Sequence, residues 1–331
     1  MTDGAAAILV EDLRKTFGSR RGRGTVEALC GIDLVVRPGT VLGVLGPNGA
    51  GKTTAVRILT TLLQPTSGRA SVLGYDVVKD GAAVRERIGL AGQATAIVDE
   101  LTGRENLDLV ARLYHLSRQV ARERAGELLE QFDLADAADR PAKTYSGGML
   151  RRLDLAASLV AKPQVLFLDE PTTGLDPRSR LGMWDVIRDL VSQGTTLLLT
   201  TQYLEEADEL ADEIAVIDHG LVIAAGTSDE LKSRVGGDVV EFVVPDRSQL
   251  SLAADAVSSL AEGDVGTDEE VGQISVRVGR RGSEALVETV RRLDAAGVTS
   301  TGLALRRPSL DDVFLALTGH AAEDEPAGAA P

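Results

Sequence analysis

Gly46-Pro47-Asn48-Gly49-Ala50-Gly51-Lys52-Thr53-Thr54 decides how this chain folds. It stands between an apolar run, Val41–Leu45, and a helical pattern over residues 55–63. In that context glycines let backbone N–H groups turn toward one anion, and the helix N-terminus behind them adds partial positive charge. Such a strand–loop–helix cradles phosphate. Lys52 then reaches the β- and γ-phosphates, Thr53 offers its hydroxyl to Mg²⁺, and Thr54 binds a neighbouring phosphate oxygen. A Gly-rich turn that merely precedes a helix is the alternative, and the Lys-Thr pair in register argues against it.

Outward from the loop, from about residue 8 to 225, short Val/Leu/Ile runs alternate with longer helical patterns. Among the runs at 31–36, 41–45, 165–168, 196–200 and 214–217, several are apolar at successive positions, as strands buried on both faces are. This predicts an α/β domain with a largely parallel sheet. Between about 102 and 160 no strand stands out. Apolar residues recur there every three or four positions over 105–116 and 120–132, which reads as a helical insert.

The run Val165-Leu166-Phe167-Leu168 ends in Asp169-Glu170. A strand end of this kind places Asp169 in a Mg²⁺ shell and Glu170 where it can orient or deprotonate a water. Phosphoryl transfer needs mainly positioning and charge neutralisation from a protein, so the pair suffices alongside the cradle. Alone, two acids at a strand end are more often a turn. A second anion site is legible at Tyr145-Ser146-Gly147-Gly148-Met149, which opens a helix over 150–160 and presents a hydroxyl and free N–H groups. If the insert holds the two sites apart, two chains packed head to tail can share one nucleotide between them.

Composition excludes several classes. The 331 residues carry 50 acidic and 35 basic side chains, a net charge of −15, which does not suit a protein that neutralises nucleic-acid phosphates. One cysteine, Cys30, forms no internal disulfide, and reads as a small buried hydrophobe. The first residues lack a signal peptide's basic and apolar regions, and no run has the ~18 apolar residues of a membrane span. The expectation is a soluble, intracellular chain. His115, His219 and His320 have no metal-ligand spacing, and Arg20, Arg21 and Arg23 read as a solvated loop.

Near Gly236-Gly237 the character changes. The segment from there to Pro331 has no lysine and carries 17 acidic against 8 basic residues, compared with 33 and 27 before it. Strands are expected at 239–244, 273–278 and 301–305, with helices at 250–260 and 283–296. A last helix begins near Pro308, with Ser309 as N-cap, Asp312 at N3, and Leu310, Val313, Phe314 and Leu317 on one stripe. The expected organisation is a nucleotide-binding domain over 1–235, a small α+β domain over 236–320, and a disordered tail over 321–331.

Taken in order, these motifs resemble the ATP-binding subunits of ABC transporters over roughly residues 8 to 235. The resemblance makes 46–54 the phosphate loop, Gln93 the Q-loop glutamine near Mg²⁺ or the attacking water, and Ser146-Gly147-Gly148 the signature. Asp169 and Glu170 become the Walker B aspartate and the catalytic glutamate, Asp176 in Gly174-Leu175-Asp176 a dimer contact, and Phe17 the adenine platform. Three features depart from the common pattern. Tyr145 and Met149 flank the signature, Gln202 stands where the switch histidine is usual, and Phe17 replaces the frequent tyrosine. Glutamine can contact the γ-phosphate but cannot become a cation. With Leu310-Asp311-Asp312-Val313-Phe314, these departures resemble the daunorubicin/doxorubicin resistance ATP-binding subunits.

The resemblance implies a P-loop ABC-type ATPase using ATP and Mg²⁺ to power export of a small drug-like or antibiotic compound. It also implies a separate membrane-spanning permease met through the helical insert near 93–115, an ATP-bound head-to-tail homodimer, and a peripheral place on the cytoplasmic face of the membrane. An ABC-type ATPase remodelling nucleic acid or ribosomes is the rival. It calls for two cradles, zinc-type cysteines or basic surface, none of them legible here. A small-molecule kinase would have no use for Ser146-Gly147-Gly148.

Overall fold

The computed structural model describes residues 6–18, 24–92, 96–235, 237–263, 265–279 and 282–318, and its Cα packing separates a unit ending at Thr227 from a second over Ser228–Ala321. The division precedes the composition break at Gly236-Gly237, because the helix Ser228–Val235 packs within the second unit, against the helix Leu310–Thr318. Gln93 and residues 321–331 lie outside the described residues, as do Arg20, Arg21, Arg23 and His320.

In the first unit the strands are β1 (Ile8–Gly18), β2 (Thr25–Val36), β3 (Val41–Leu45), β4 (Ser67–Val72), β5 (Tyr75–Asp76), β6 (Ile88–Ala91), β7 (Val165–Asp169), β8 (Thr196–Thr201), β9 (Glu213–Asp218) and β10 (Leu221–Gly226). The helices are α1 (Lys52–Leu59), α2 (Gly81–Arg85), α3 (Gly103–Leu113), α4 (Arg118–Gln131), α5 (Gly147–Ser158), α6 (Pro177–Ser192) and α7 (Leu204–Leu210). Six strands form one sheet in the order β10-β9-β3-β8-β7-β6, parallel except for β10. β3, β7 and β8 are buried at every residue, as runs covered on both faces must be. Leu166 and Leu168 point into the core shared with the helical insert, and Val165 and Phe167 into the core beneath α1 and the N-terminal strands.

The run at 31–36 belongs elsewhere. It is the end of β2, which pairs antiparallel with β1 in a separate sheet of order β2-β1-β4-β5. Its successive apolar residues do not reflect a parallel strand. Burial alternates there, with Ile32, Leu34 and Val36 buried and Asp33 and Val35 exposed, so it is a half-exposed strand whose outward Val35 imitates a continuous apolar run. The insert is helical, as read: Thr102 caps α3 in a box with Glu105, and Ser117 caps α4. Cys30 is half-buried rather than buried, its Sγ 3.5 Å from the carbonyl of His219.

The second unit contains α8 (Ser228–Val235), β11 (Asp238–Val243), α9 (Leu250–Val257), β12 (Gly266–Asp268), β13 (Gln273–Gly279), α10 (Gly282–Ala296), β14 (Thr301–Arg306) and α11 (Leu310–Thr318). Its sheet, β12-β13-β11-β14, is antiparallel throughout. Val240, Phe242, Ile274, Val276 and Val278 meet Leu250, Ala253, Val257, Ala285 and Leu293 of α9 and α10 in one core. The helical pattern read over 250–260 gives way after Val257 to a single 3₁₀ turn, residues 258–260.

Candidate active site

Strand register fixes where the chemistry sits. Leu45, the last residue of β3, lies opposite Thr201 of β8, and Asp169 of β7 lies opposite Thr200. The carboxyl ends of three central strands therefore finish level, where ligands of open α/β sheets bind. The Gly46–Thr54 loop leaves the first of these ends. A Cβ at Gly46 would collide with the carbonyl of Ile217, and one at Gly51 (φ 111°) with that of Ala28. Only glycine fits at either position. Gly49 (φ 84°) also takes the left-handed conformation, and Ala50 is buried beneath the loop, its N–H donated to the carbonyl of Pro47. Pro47, Asn48 and Gly49 reach toward solvent, while Thr53 and Thr54 are half-buried in the first turn of α1.

Lys52 is buried (4% exposed), and its ammonium donates to the carbonyls of Gly46 at 2.6 Å and Pro47 at 3.2 Å. The same nitrogen lies 3.3 Å from a carboxylate oxygen of Glu170, itself 7% exposed. Asp169 Oδ1 accepts hydrogen bonds from Thr200 Oγ1 (2.6 Å) and Thr53 Oγ1 (3.2 Å). Glu170 is a non-glycine residue at φ 53°, a strained conformation. Its N–H is held by the carbonyl and the hydroxyl of Thr200, at 3.0 and 3.1 Å. The chain turns there abruptly, so the two neighbouring acids separate: one meets Thr53, the other Lys52.

A hydroxyl and a carboxylate converging at a loop that gathers anions form an all-oxygen, hard donor set. Mg²⁺ takes this kind of partial cage, with phosphate oxygens and water completing it. Thr53 and Asp169 fit that ion.

Gln202 follows β8 and is half-buried. Its Oε1 is fully buried without a hydrogen-bond partner among the described residues, an acceptor left open beside the strand ends. Phe17, at the end of β1, is 40% exposed with the Lys15 ammonium 5.0 Å from its ring centroid. Such a ring has a face free for stacking.

Ser146 caps α5, accepting from the N–H of Met149 at 3.3 Å, and both Ser146 and Gly147 face solvent. Gly148 lies so close to Ser179 that a Cβ there would sit 2.9 Å from its hydroxyl. Asp176 caps α6 through the N–H of Ser179 (3.0 Å) and its hydroxyl (2.6 Å), and these two bonds hold its carboxyl below the usual range. The unusual Tyr145 is a structural anchor. Its hydroxyl donates to the carbonyl of Ala137 at 2.7 Å, in space left by the missing side chain of Gly103.

Sequence reasoning passed over Arg151 and Asp154, one and two turns into α5. Arg151 donates to three carbonyls, of Pro171 (2.7 Å), Glu170 (2.5 Å) and Gly92 (2.7 Å). Asp154, buried, accepts from the N–H of Ala96 at 3.1 Å, and burial pushes its carboxyl up despite that bond. The signature helix thus grips the backbone of Glu170 and both flanks of position 93. Polar residues inside an amphipathic helix gave no signal of this, because their partners lie about 20 and 60 residues away.

Comparison with known proteins gives the family. Residues 29–173 match the family described as ABC transporter. The chain is 56% identical to the daunorubicin resistance ATP-binding protein DrrA3 of Streptomyces coeruleorubidus, over 95% of its own length and 96% of the relative's. It is 49% identical to the daunorubicin/doxorubicin resistance ATP-binding protein DrrA of Streptomyces peucetius, over 98% and 96%. Among solved structures it is similar to a dimeric bacterial ABC transporter cassette, with a TM-score of 0.61 and 25% identity over 66% of this chain and 98% of that one. The chain belongs to the ABC transporter ATP-binding proteins, is an ATPase of that class, and has the daunorubicin/doxorubicin resistance ATP-binding proteins among its relatives.

Proposed function

We propose that this ATPase drives export of a small, drug-like compound through a separate membrane-spanning permease, from the cytoplasmic face of the membrane. The observation that carries the site reading is the convergence at the strand ends: Lys52, Glu170, Asp169 and Thr53 within 3.3 Å contacts of one another in pairs. Relatives at 49–56% identity are named for daunorubicin and doxorubicin resistance, which supports the class of cargo. No helix among the described residues is long and apolar enough to cross a membrane. The net charge of −15 favours transport over a nucleic-acid role.

In this reading the triphosphate enters the cradle and takes Lys52 from Glu170, because a γ-phosphate offers the ammonium more charge than one carboxylate does. Glu170, released at a rigid strand end, orients or deprotonates the attacking water. Thr53 and Asp169 would hold Mg²⁺, with Gln93 given to the same ion by the family resemblance, and the ion would supply charge neutralisation to the phosphates. Gln202 donates its amide N–H to the γ-phosphate or accepts from the water at its open Oε1, and Phe17 stacks on the base. A second copy, head to tail, brings Ser146, Gly147 and Gly148 to the γ-phosphate and Asp176 to the seam. ATP then joins the copies and hydrolysis releases them, an equilibrium biased by contacts made in one state only.

The deciding experiment pairs two variants of the purified chain. E170Q binds Mg-ATP, turns over roughly 100- to 1,000-fold more slowly, and accumulates as a dimer, consistent with the loss of a general base. S146A binds nucleotide as a monomer with unchanged affinity but fails to dimerise and to hydrolyse. An active, monomeric E170Q enzyme, or S146A with full turnover, would remove the shared site. Membranes from cells expressing the chain should yield a permease on co-purification, and its transported compound should stimulate the ATPase.

A further inference from the structure

Glu206 is fully buried on α7 and takes no part in the catalytic scheme. One carboxyl oxygen accepts from the hydroxyl of Thr172 at 2.8 Å and the indole N–H of Trp184 at 3.2 Å. The Thr201 hydroxyl acts on the carboxyl in the same sense, while Oε2 completes no hydrogen bond among the described residues. Burial outweighs these donors and nearby Arg180 and pushes the carboxyl above its ordinary range.

These two donors and the neighbouring Thr201 are not a random set. Thr172 comes two residues after Glu170. Thr201 immediately precedes Gln202, and its Oγ1 also takes the N–H of Tyr203 at 2.9 Å, so the glutamine is bracketed on both sides. Trp184 belongs to α6, the helix that Asp176 caps. One buried carboxyl thus bonds the segments that carry Glu170 and Asp176, through Thr172 and Trp184, and lies beside Thr201 of the segment that presents Gln202. A buried carboxyl is a poor source of stability, since an apolar side chain of similar volume commonly serves as well or better. Its value here lies in geometry: misplacing a reacting group by about 1 Å costs on the order of 100-fold in rate.

We propose that Glu206 is a positioning residue that sets the spacing of the catalytic glutamate, the switch glutamine and the dimer-facing aspartate through Thr172, Thr201 and Trp184. This inference rests on the roles assigned to those three residues under Proposed function. It predicts that the side chain matters to the rate of hydrolysis and little to the capture of nucleotide, which the cradle performs without it.

The test compares E206L, E206Q and T172V with the wild-type full-length chain in Mg-ATP turnover, with E170Q as control. E206L loses about tenfold or more in kcat, while KM and the affinity for ADP change by less than about threefold, as displaced catalytic groups require. E206Q keeps an acceptor for Thr172 and Trp184 and restores kcat to within about threefold of wild type. Because Trp184 is the only tryptophan, its emission reports the node: it shifts in E206L and not in E206Q. Wild-type kcat in a folded E206L, parallel loss of kcat and nucleotide affinity, or an E206Q as slow as E206L overturns the proposal. If E206L does not fold, T172V decides: a kcat loss of about threefold at constant KM supports the node, and an unchanged kcat refutes it. A fully active E170Q would show that the site reading itself is wrong. An inactive E170Q beside an unaffected E206L would show that only this inference is.

Discussion

Of thirteen polar or charged side chains buried among the described residues, twelve lie before Thr227 and one, Thr289, lies beyond it. Thr289 merely donates to the carbonyl of Ala285, one turn back on its own helix. The twelve include Lys52, Asp154, Asp169, Glu170 and Glu206, all ionisable. Taking such groups out of water opposes folding unless each is met by partners, and even then an apolar replacement often stabilises. The first unit tolerates that opposition where strand ends, loop and switch meet. The second unit has an ordinary apolar core and shows no comparable investment among its described residues. The difference locates the chemistry in the first unit and leaves the second to act through its fold and its surface.

The largest effect expected from breaking this contrast is in the second unit's core. Phe242 is 1% exposed, and F242A should cost that unit about 3–5 kcal/mol. Every tryptophan and tyrosine lies before Thr227, so intrinsic fluorescence follows the first unit and far-UV circular dichroism follows both. In urea, the dichroism transition should begin earlier while the fluorescence midpoint stays in place. A fluorescence midpoint that moves with it would mean one cooperative fold and would dissolve the contrast. Next in size is Q202A, which should slow turnover by about tenfold, or about 1.4 kcal/mol of barrier, and by less than E170Q does. A loss equal to that of E170Q would make the open amide a principal catalytic group. Smaller still is S309A. Ser309 and Asp312 exchange hydrogen bonds at the start of α11, with Oγ accepting at 3.2 Å and Oδ2 at 2.8 Å. Removing the cap should cost about 1 kcal/mol, seen in dichroism and not in fluorescence.

How far the sequence could be read depended on whether the signal was local. The phosphate loop, the run into Asp169-Glu170 and the Ser309 cap are set by residues within one turn or one strand, and all were legible. Residues 31–36 were legible as a strand but not in their partnership, since pairing with β1 rather than β3 is decided across the chain. β1 and β4 escaped notice because register shifts, with Asp12 at φ 44°, interrupt their ladders, and β5 because it is two residues long. Arg151, Asp154 and Glu206 read as ordinary helix residues. Pro171, Glu170, Gly92, Ala96, Thr172 and Trp184, to which these side chains hydrogen-bond, lie about 20 to 60 residues away from them. Buried polar residues whose partners are distant are thus invisible to pattern, although they shape the site as much as its motifs do.

The smallest effect is the most specific to buried charge. Burial raises the Asp154 carboxyl, against the Ala96 and Gly92 N–H groups and the Arg151 charge that favour its ionised form. A group whose folded pKa lies above its unfolded value contributes stability below the unfolded value, near 4, and loses it as pH rises through the folded one. Wild-type protein should therefore lose a little stability between acid and neutral pH on account of this residue. D154N keeps an oxygen for the N–H of Ala96 and carries no charge to bury. At pH 4.5 the two proteins should melt nearly together; at pH 7.5 the variant should melt higher, by on the order of 1–2 °C for a domain of this size. A gap that shrinks or reverses as pH rises would mean that Asp154 is ionised and well satisfied, held by Arg151. In that case the buried charges of the first unit would be stabilising the fold, and the contrast between the units would need a different cause.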